Sequence, residues 1–403
     1  MGENLMKKVS KIEKSFYISM FMTTIAKSLP HAILTILLYN KGLSISNILI
    51  VQSVFNFAIL ILEIPSGILS DIYSRKTVYL FSNIFLCMMY LTVLMSQGFF
   101  WMAVAWGLYG ASEALFSGTI DASVINMLKK KENADRNVIH FKKMNNQLSM
   151  IAMILGGTIG SFLYFIIGDK LYVLAFILVF LATANILFNF PGDSNQQATE
   201  TNTPLSQIKA GFSELAKDTR LVSLVCLSLV GQIFFQTHFQ IWQAYVLSIG
   251  FSQKSLFVFY LIFQVIGVVA YAIPINRRFL KPLIFVAVTA IILPIIIFLS
   301  TTWLSLTAYM LFVFIFMFLD YMYDVLYSLT ISQERISTLI SFNSSISRVG
   351  SFVILALNGV LLESFNIKEV VGLNFEVAVS LSLIIGFLFL YSVGKTKRSK
   401  VKV

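Results

Sequence analysis

Apolar stretches of about 20 residues recur along this chain from end to end, and no other feature limits its fold so tightly. A helix rises about 1.5 Å per residue, so each stretch matches the roughly 30 Å hydrocarbon core of a bilayer. Twelve are read, near 15–39, 45–67, 77–96, 100–125, 145–167, 170–190, 220–247, 254–275, 283–300, 302–329, 338–362 and 371–393. Only 12% of the 403 residues are charged, about half the share of a soluble domain, so most of the surface must face lipid. Unbroken apolar runs such as 283–299 fit helices rather than alternating barrel strands. The expected class is an all-α polytopic membrane protein.

The net charge of +11 would suit a nucleic-acid partner, but its distribution argues against one. With an even number of spans both termini share a side. That side carries the basic clusters at Lys7–Lys14, Arg75–Lys76, Lys129–Lys143, Arg277–Lys281 and Lys395–Lys402, whereas the other side carries Lys41, Lys170, Lys254 and Lys368. Such an asymmetry is an orientation signal, and it sets both termini in the cytoplasm of a cell-membrane protein. No nucleic acid is expected as a partner. Cys87 and Cys226 lie within spans, which leaves no disulfide framework and no metal cluster. The polar first fourteen residues and the lack of a small-residue cleavage site argue against a removable signal peptide.

One polar segment interrupts the pattern at mid-length. Residues 191–219 open as PGDSNQQATETNTP, a linker composition. Leu205, Ile208, Phe212 and Leu215 then follow at helical spacing, which predicts a short amphipathic helix at the membrane interface. The organisation expected is a six-span bundle over 1–190, the linker over 191–219, and a second bundle with a basic tail over 220–403.

Between spans 2 and 3 the chain reads EIPSGILSDIYSRK, Glu63 to Lys76. This resembles the loop signature of the major facilitator superfamily of secondary transporters. Gly67, Leu69, Ser70, Asp71, Arg75 and Lys76 match it, while Ile72 and Ser74 depart from it. After span 8, AIPINRRFLK places Ala272, Asn276 and Lys281 at the offsets of Gly67, Asp71 and Lys76, a degenerate second copy that fits a protein built from repeats. The resemblance implies two pseudo-symmetric six-helix bundles, alternating access, and a central cavity lined by spans 1, 4, 7 and 10. It further implies a cytoplasmic gate in which Asp71 sits near the start of span 11 and Arg75 pairs with an acid at the foot of span 4, here Asp121. Gly67, Lys76 and Asp324 complete the expected gate. Two elements of the family's proton antiporters are missing: Trp106 stands where an Arg is common, and the span 5 glycines Gly156, Gly157 and Gly160 lack the accompanying Pro.

Intramembrane polar groups are expensive and normally face protein or a water-filled cavity. Span 1 carries Lys27 and His31, span 4 carries Glu113, Ser117 and Asp121, span 7 carries Gln232, Gln236, Gln240, Gln243 and His238, and span 10 carries Asp320 and Asp324. Glu113 has two readings: a carboxyl that takes up and releases a coupling proton, or a fixed partner of Lys27. Asp320 is the second coupling candidate, with Arg348 as a possible structural partner. His238 is a third, against a hydrogen-bonded packing role. The Gln stripe with Lys27 and His31 is read as cavity lining. Trp106, Tyr109, Trp242, Tyr245, Phe312 and Phe316 form either an aromatic wall for an amphipathic substrate or ordinary packing.

The function expected is proton-driven export of a small amphipathic or hydrophobic compound, with the solute, protons and lipid as partners, no cofactor, and a monomer as the working unit. The alternative is a symporter importing a small solute, with Lys27 suited to an anionic one. From another class stands a non-transporting membrane sensor or a lipid scramblase. No enzymatic motif is present.

Overall fold

The computed structural model describes residues 2–116, 119–129, 134–191, 218–273, 291–299, 302–331 and 336–400, and every regular element among them is a helix. The helices are α1 Gly2–Ser28, α2 Leu34–Asn40, α3 Ile45–Ile72, α4 Arg75–Met95, α5 Phe99–Phe116, α6 Ile120–Lys129, α7 Ala134–Ile167 and α8 Leu171–Asn189. They continue with α9 Thr219–Ser248, α10 Leu256–Ala272, α11 over 291–299, α12 Thr302–Thr330, α13 Ile336–Ser364 and α14 Ile367–Lys400. The amphipathic helix expected at Leu205, the repeat residues Asn276 and Lys281, and Ser117 lie outside the described residues.

The chain divides into two compact units. The first takes in Met1–Thr201 with Leu256–Leu261, and the second Asn202–Ser255 with Ile262–Val403. In the first unit α5 packs on α3 and α4, and α1 packs on α7 and α8. In the second, α9 is the hub, packing on α12, α13 and α14. Large apolar side chains such as Met95, Ile166, Phe188 and Trp303 are exposed on these helices, a surface that requires a hydrocarbon solvent. The protein is a multi-pass membrane protein.

Two spans read as continuous are each two helices. Span 1 breaks over residues 29–33, between α1 and α2. Pro30 lacks an N–H and disfavours helical geometry at the residue before it. Against this break α7 presents Gly156 and Gly160, one turn apart. A Cβ at Gly156 would lie 2.8 Å from the Ile25 carbonyl oxygen, and one at Gly160 would lie 1.9 Å from that of Leu29. The glycines let the two backbones approach as small residues do in membrane bundles. Span 4 is likewise divided into α5 and α6. Asp121 opens α6 and gains from the positive end of that helix.

At the end of the first unit where α1 begins, Ile12, Phe16, Tyr79, Val124, Phe141, Ile186 and Phe190 form one buried cluster that ties α1, α4, α6, α7 and α8 together.

Candidate transport site

Lys27 stands one residue from the C-terminal end of α1, where a cation is favoured by the helix dipole. Glu113 stands in the last turn of α5, where the same dipole disfavours an anion. The two compensate each other: Lys27 Nζ is in ionic contact with Glu113 Oε1, with side chains 14% and 28% exposed. The ammonium also lies 4.3 Å from the centre of the Phe116 ring, within cation–π range. Tyr109 packs its ring 4.7 Å from Phe55 and remains half-buried. His31 does not share the face of Lys27, because it falls in the break after α1, where its backbone N–H donates to the Ser28 carbonyl. Glu113 and Asp121, expected on one helical face, belong to different helices.

The signature segment is mostly helix rather than loop. α3 runs on through Pro65 to Ile72, so Gly67 and Asp71 lie within its last turns, and their side chains are outside the described residues. Asp71 stands one residue before the end of α3. Only Tyr73 and Ser74 link α3 to α4, with Ser74 Oγ capping α4 by accepting from the Thr77 N–H. Ser followed three residues later by Thr was the legible signal. Lys76, expected at the gate, bonds within the first unit. Its Nζ donates to the Leu187 and Phe190 carbonyls at 2.8 and 2.6 Å, capping the C-terminal end of α8. Arg75 and Asp121 form no ion pair; each begins its own helix. Replacing Lys76 by Met is expected to cost about 1.5–3 kcal/mol through the two lost charge-assisted bonds, read as a lower unfolding temperature in detergent, with Lys76→Arg recovering part of it.

The Gln stripe of α9 divides among different partners. Gln232 Oε1 accepts from Ser351 Oγ at 2.8 Å, and Gln236 Nε2 donates to the same Oγ at 2.9 Å. One turn away Ser228 and Ser347 pair at 3.2 Å, and Asn343 donates to Ser228. Ser228, Gln232 and Gln236 thus face Asn343, Ser347 and Ser351 of α13 in a polar ladder inside the second unit. The four-residue recurrence on both helices was visible in the sequence, but which stripe faced which was not. Gln243 is buried, and Gln240 is half-buried. A second buried group went unread: Asn374 Nδ2 donates to Thr237 Oγ1 at 3.0 Å and to Asn358 Oδ1 at 2.8 Å.

Most of the expected aromatic wall is buried within the units. Trp106, Trp242, Tyr245, Phe312 and Phe316 are all buried, and Phe234 stacks on Phe316 at 4.5 Å while Phe312 stacks on Phe375 at 4.4 Å. His238 belongs to this cluster. It is 1% exposed, stacks on Phe234, and pairs through Nδ1 with the Tyr309 hydroxyl at 3.0 Å. A ring so enclosed serves packing rather than proton exchange.

Asp320 of α12 differs from every other acid in the second unit. It is half-buried, makes no ion pair or hydrogen bond with any described residue, and is not paired with Arg348. Its Oδ1 lies 2.9 Å from where a Cβ would stand on Gly231 of α9, so the glycine provides the space it occupies. Asp324, one turn on, is exposed.

A sequence model of the Major Facilitator Superfamily matches residues 16–355. The chain belongs to that superfamily. Within it, the chain is 24% identical over 228 residues to an uncharacterized MFS-type transporter, YxaM, of Bacillus subtilis (strain 168), a match covering 54% of this chain and 55% of that protein. The chain thus spans about half the length of this curated relative. Among solved structures, the nucleoside transporter NupG aligns with a TM-score of 0.75 at 16% identity, over 95% of this chain and 99% of that one. A bacterial homolog of the human lysosomal transporter Spinster, inward-facing and unoccupied, aligns at 0.69 with 13% identity over 96% of each chain. At these identities the structures establish the shared fold.

Proposed function

We propose that this chain is a proton-coupled secondary transporter that carries a small polar solute by alternating access, with Asp320 as the coupling carboxylate. The observation supporting it is an acid within a membrane helix that has no countercharge among the described residues and has a glycine opposite to make room. Ionisable groups at bilayer depth are normally paired or functional, and Asp320 has no partner among the described residues. Glu113, the other candidate, is held by Lys27. The same geometry weakens the case for an amphipathic cargo, since the aromatic rings that would have received it are packed inside a unit. The partly accessible charges of Lys27, Glu113 and Asp320 favour uptake of a polar solute over export of a hydrophobic one. The protein acts as a single chain in the cell membrane with both termini cytoplasmic, an orientation read from its basic clusters.

Proteoliposomes loaded with a pH-sensitive dye test this reading. Adding a transported solute from a panel of nucleosides, carboxylates and sugars outside is expected to acidify the lumen, and an imposed inward proton gradient is expected to drive accumulation. Accumulation that ignores the gradient would defeat the coupling. Gradient-driven movement in the opposite sense in oriented vesicles would restore export. Saturable counterflow separates any carrier from a sensor or scramblase.

A further inference from the structure

We infer that the Lys27–Glu113 contact is a carboxylate-exchange site: Lys27 receives the carboxylate of the transported solute, and Glu113 is a tethered competitor that fills the position when the carrier is empty. This deepens the reading above and rests on the chain being a carrier.

The geometry of the contact is that of a replaceable partner. Glu113 Oε1 touches Lys27 Nζ, a contact that the oxygen of another carboxylate could make in its place. Neither side chain is sealed, at 14% and 28% exposure. Phe116 supports the ammonium from another side at 4.3 Å, so Lys27 keeps a fixed position when its acid leaves. The surroundings also hold an unused donor. Tyr90 on α4 is close enough to Glu113 for their charges to interact, and its hydroxyl is buried without a hydrogen-bond partner among the described residues. Tyr109 and His31 also lie within electrostatic reach of Glu113.

Charge balance selects the class of ligand. In this contact Glu113 is chemically a carboxylate on a short leash, and what replaces it one for one is another singly charged carboxylate. A dianionic phosphate would leave excess negative charge beside a single ammonium. The arrangement also explains why the competitor is built in. An empty carrier with an unneutralised Lys at bilayer depth would carry a charge penalty through its return step, and Glu113 removes that penalty. Its return to Lys27 displaces the bound carboxylate and promotes release.

The test measures binding and needs no gradient. Full-length protein in detergent is titrated with acetate, lactate, benzoate and nicotinate, and with acetamide, lactamide, benzamide and nicotinamide, while its unfolding temperature is followed. At least one carboxylate is expected to stabilise the protein where its amide does not. Glu113→Gln is expected to bind that carboxylate about tenfold more tightly, and Lys27→Gln to lose it. The double variant Lys27→Gln/Glu113→Gln, which leaves no uncompensated charge, shows whether the loss arises from binding rather than folding. It is expected to fold and not to bind. Overturning results are amides matching their acids throughout the panel, retained binding in either Lys27 variant, or no tightening in Glu113→Gln. Failure of proton coupling looks different: carboxylate binding would persist in the wild-type chain while gradient-driven accumulation is absent.

Discussion

Replacing Asp320 by Asn should abolish gradient-driven accumulation while leaving solute exchange intact. One pH unit stores about 1.4 kcal/mol per proton, enough to sustain about tenfold accumulation of a solute moved with one proton. Asparagine keeps the shape beside Gly231 but cannot cycle between charged and neutral forms, so the accumulation ratio should fall to one. Counterflow of labelled against unlabelled solute involves no net proton movement and should survive. Asp320→Glu should retain part of the coupling, and Asp324→Asn, at an exposed position, should leave the accumulation ratio largely unchanged. The measurement is uptake by proteoliposomes with and without an imposed pH difference. Full accumulation by Asp320→Asn would move the coupling role elsewhere, with Glu113 as the remaining acid.

The second large effect is expected at Gly160. Adding a single methyl there places a carbon 1.9 Å from the Leu29 carbonyl oxygen, well inside any permitted contact, and the obstructing atom is backbone that cannot rotate aside. Overpacking typically costs about 1–3 kcal/mol, and Gly160→Ala should reach or pass the top of that range because α7 must separate from the break after α1. The effect should reach function as well as stability, since that break immediately follows Lys27. Gly107 is the control: its added carbon would meet only Val54 Cγ1, at 3.8 Å, so Gly107→Ala should be close to neutral. Unfolding temperature and the monodisperse fraction in detergent report both variants. A Gly160→Ala protein as stable as Gly107→Ala would mean that the close approach of α1 and α7 is not required.

Some of the site could be read from composition and spacing. Lys27, Glu113 and Asp320 stood out because charge is rare and costly inside apolar runs, and the possibility of a Lys27–Glu113 pair was already open. The signature segment announced the superfamily. Its placement in a loop was wrong because a helix continues past Pro65 once tertiary contacts support it. The resemblance also suggested a gate for Lys76, whereas the C-terminal carbonyls of α8 arrive beside it from more than a hundred residues away. Periodicity assigned the glutamines to one stripe, but a stripe facing an aqueous cavity and one facing a serine ladder look alike until the opposing helix is known. The same ambiguity left Phe316 and Trp106 open between cavity lining and packing, and both are buried within their units.

What the sequence determined by itself is the solvent and the helical class: runs matched to bilayer thickness, so poor in charge, leave only lipid outside and intrahelical hydrogen bonds within. Its basic clusters, read by the same physics, supply the expected orientation. The tertiary structure decided where helices break and which polar atoms meet. Those outcomes depend on close approach between residues far apart in the chain, as Gly160 meets Leu29, Ser351 meets Gln232 and Lys76 meets the end of α8. A local pattern sets which face of a helix is polar, and only packing sets what that face touches.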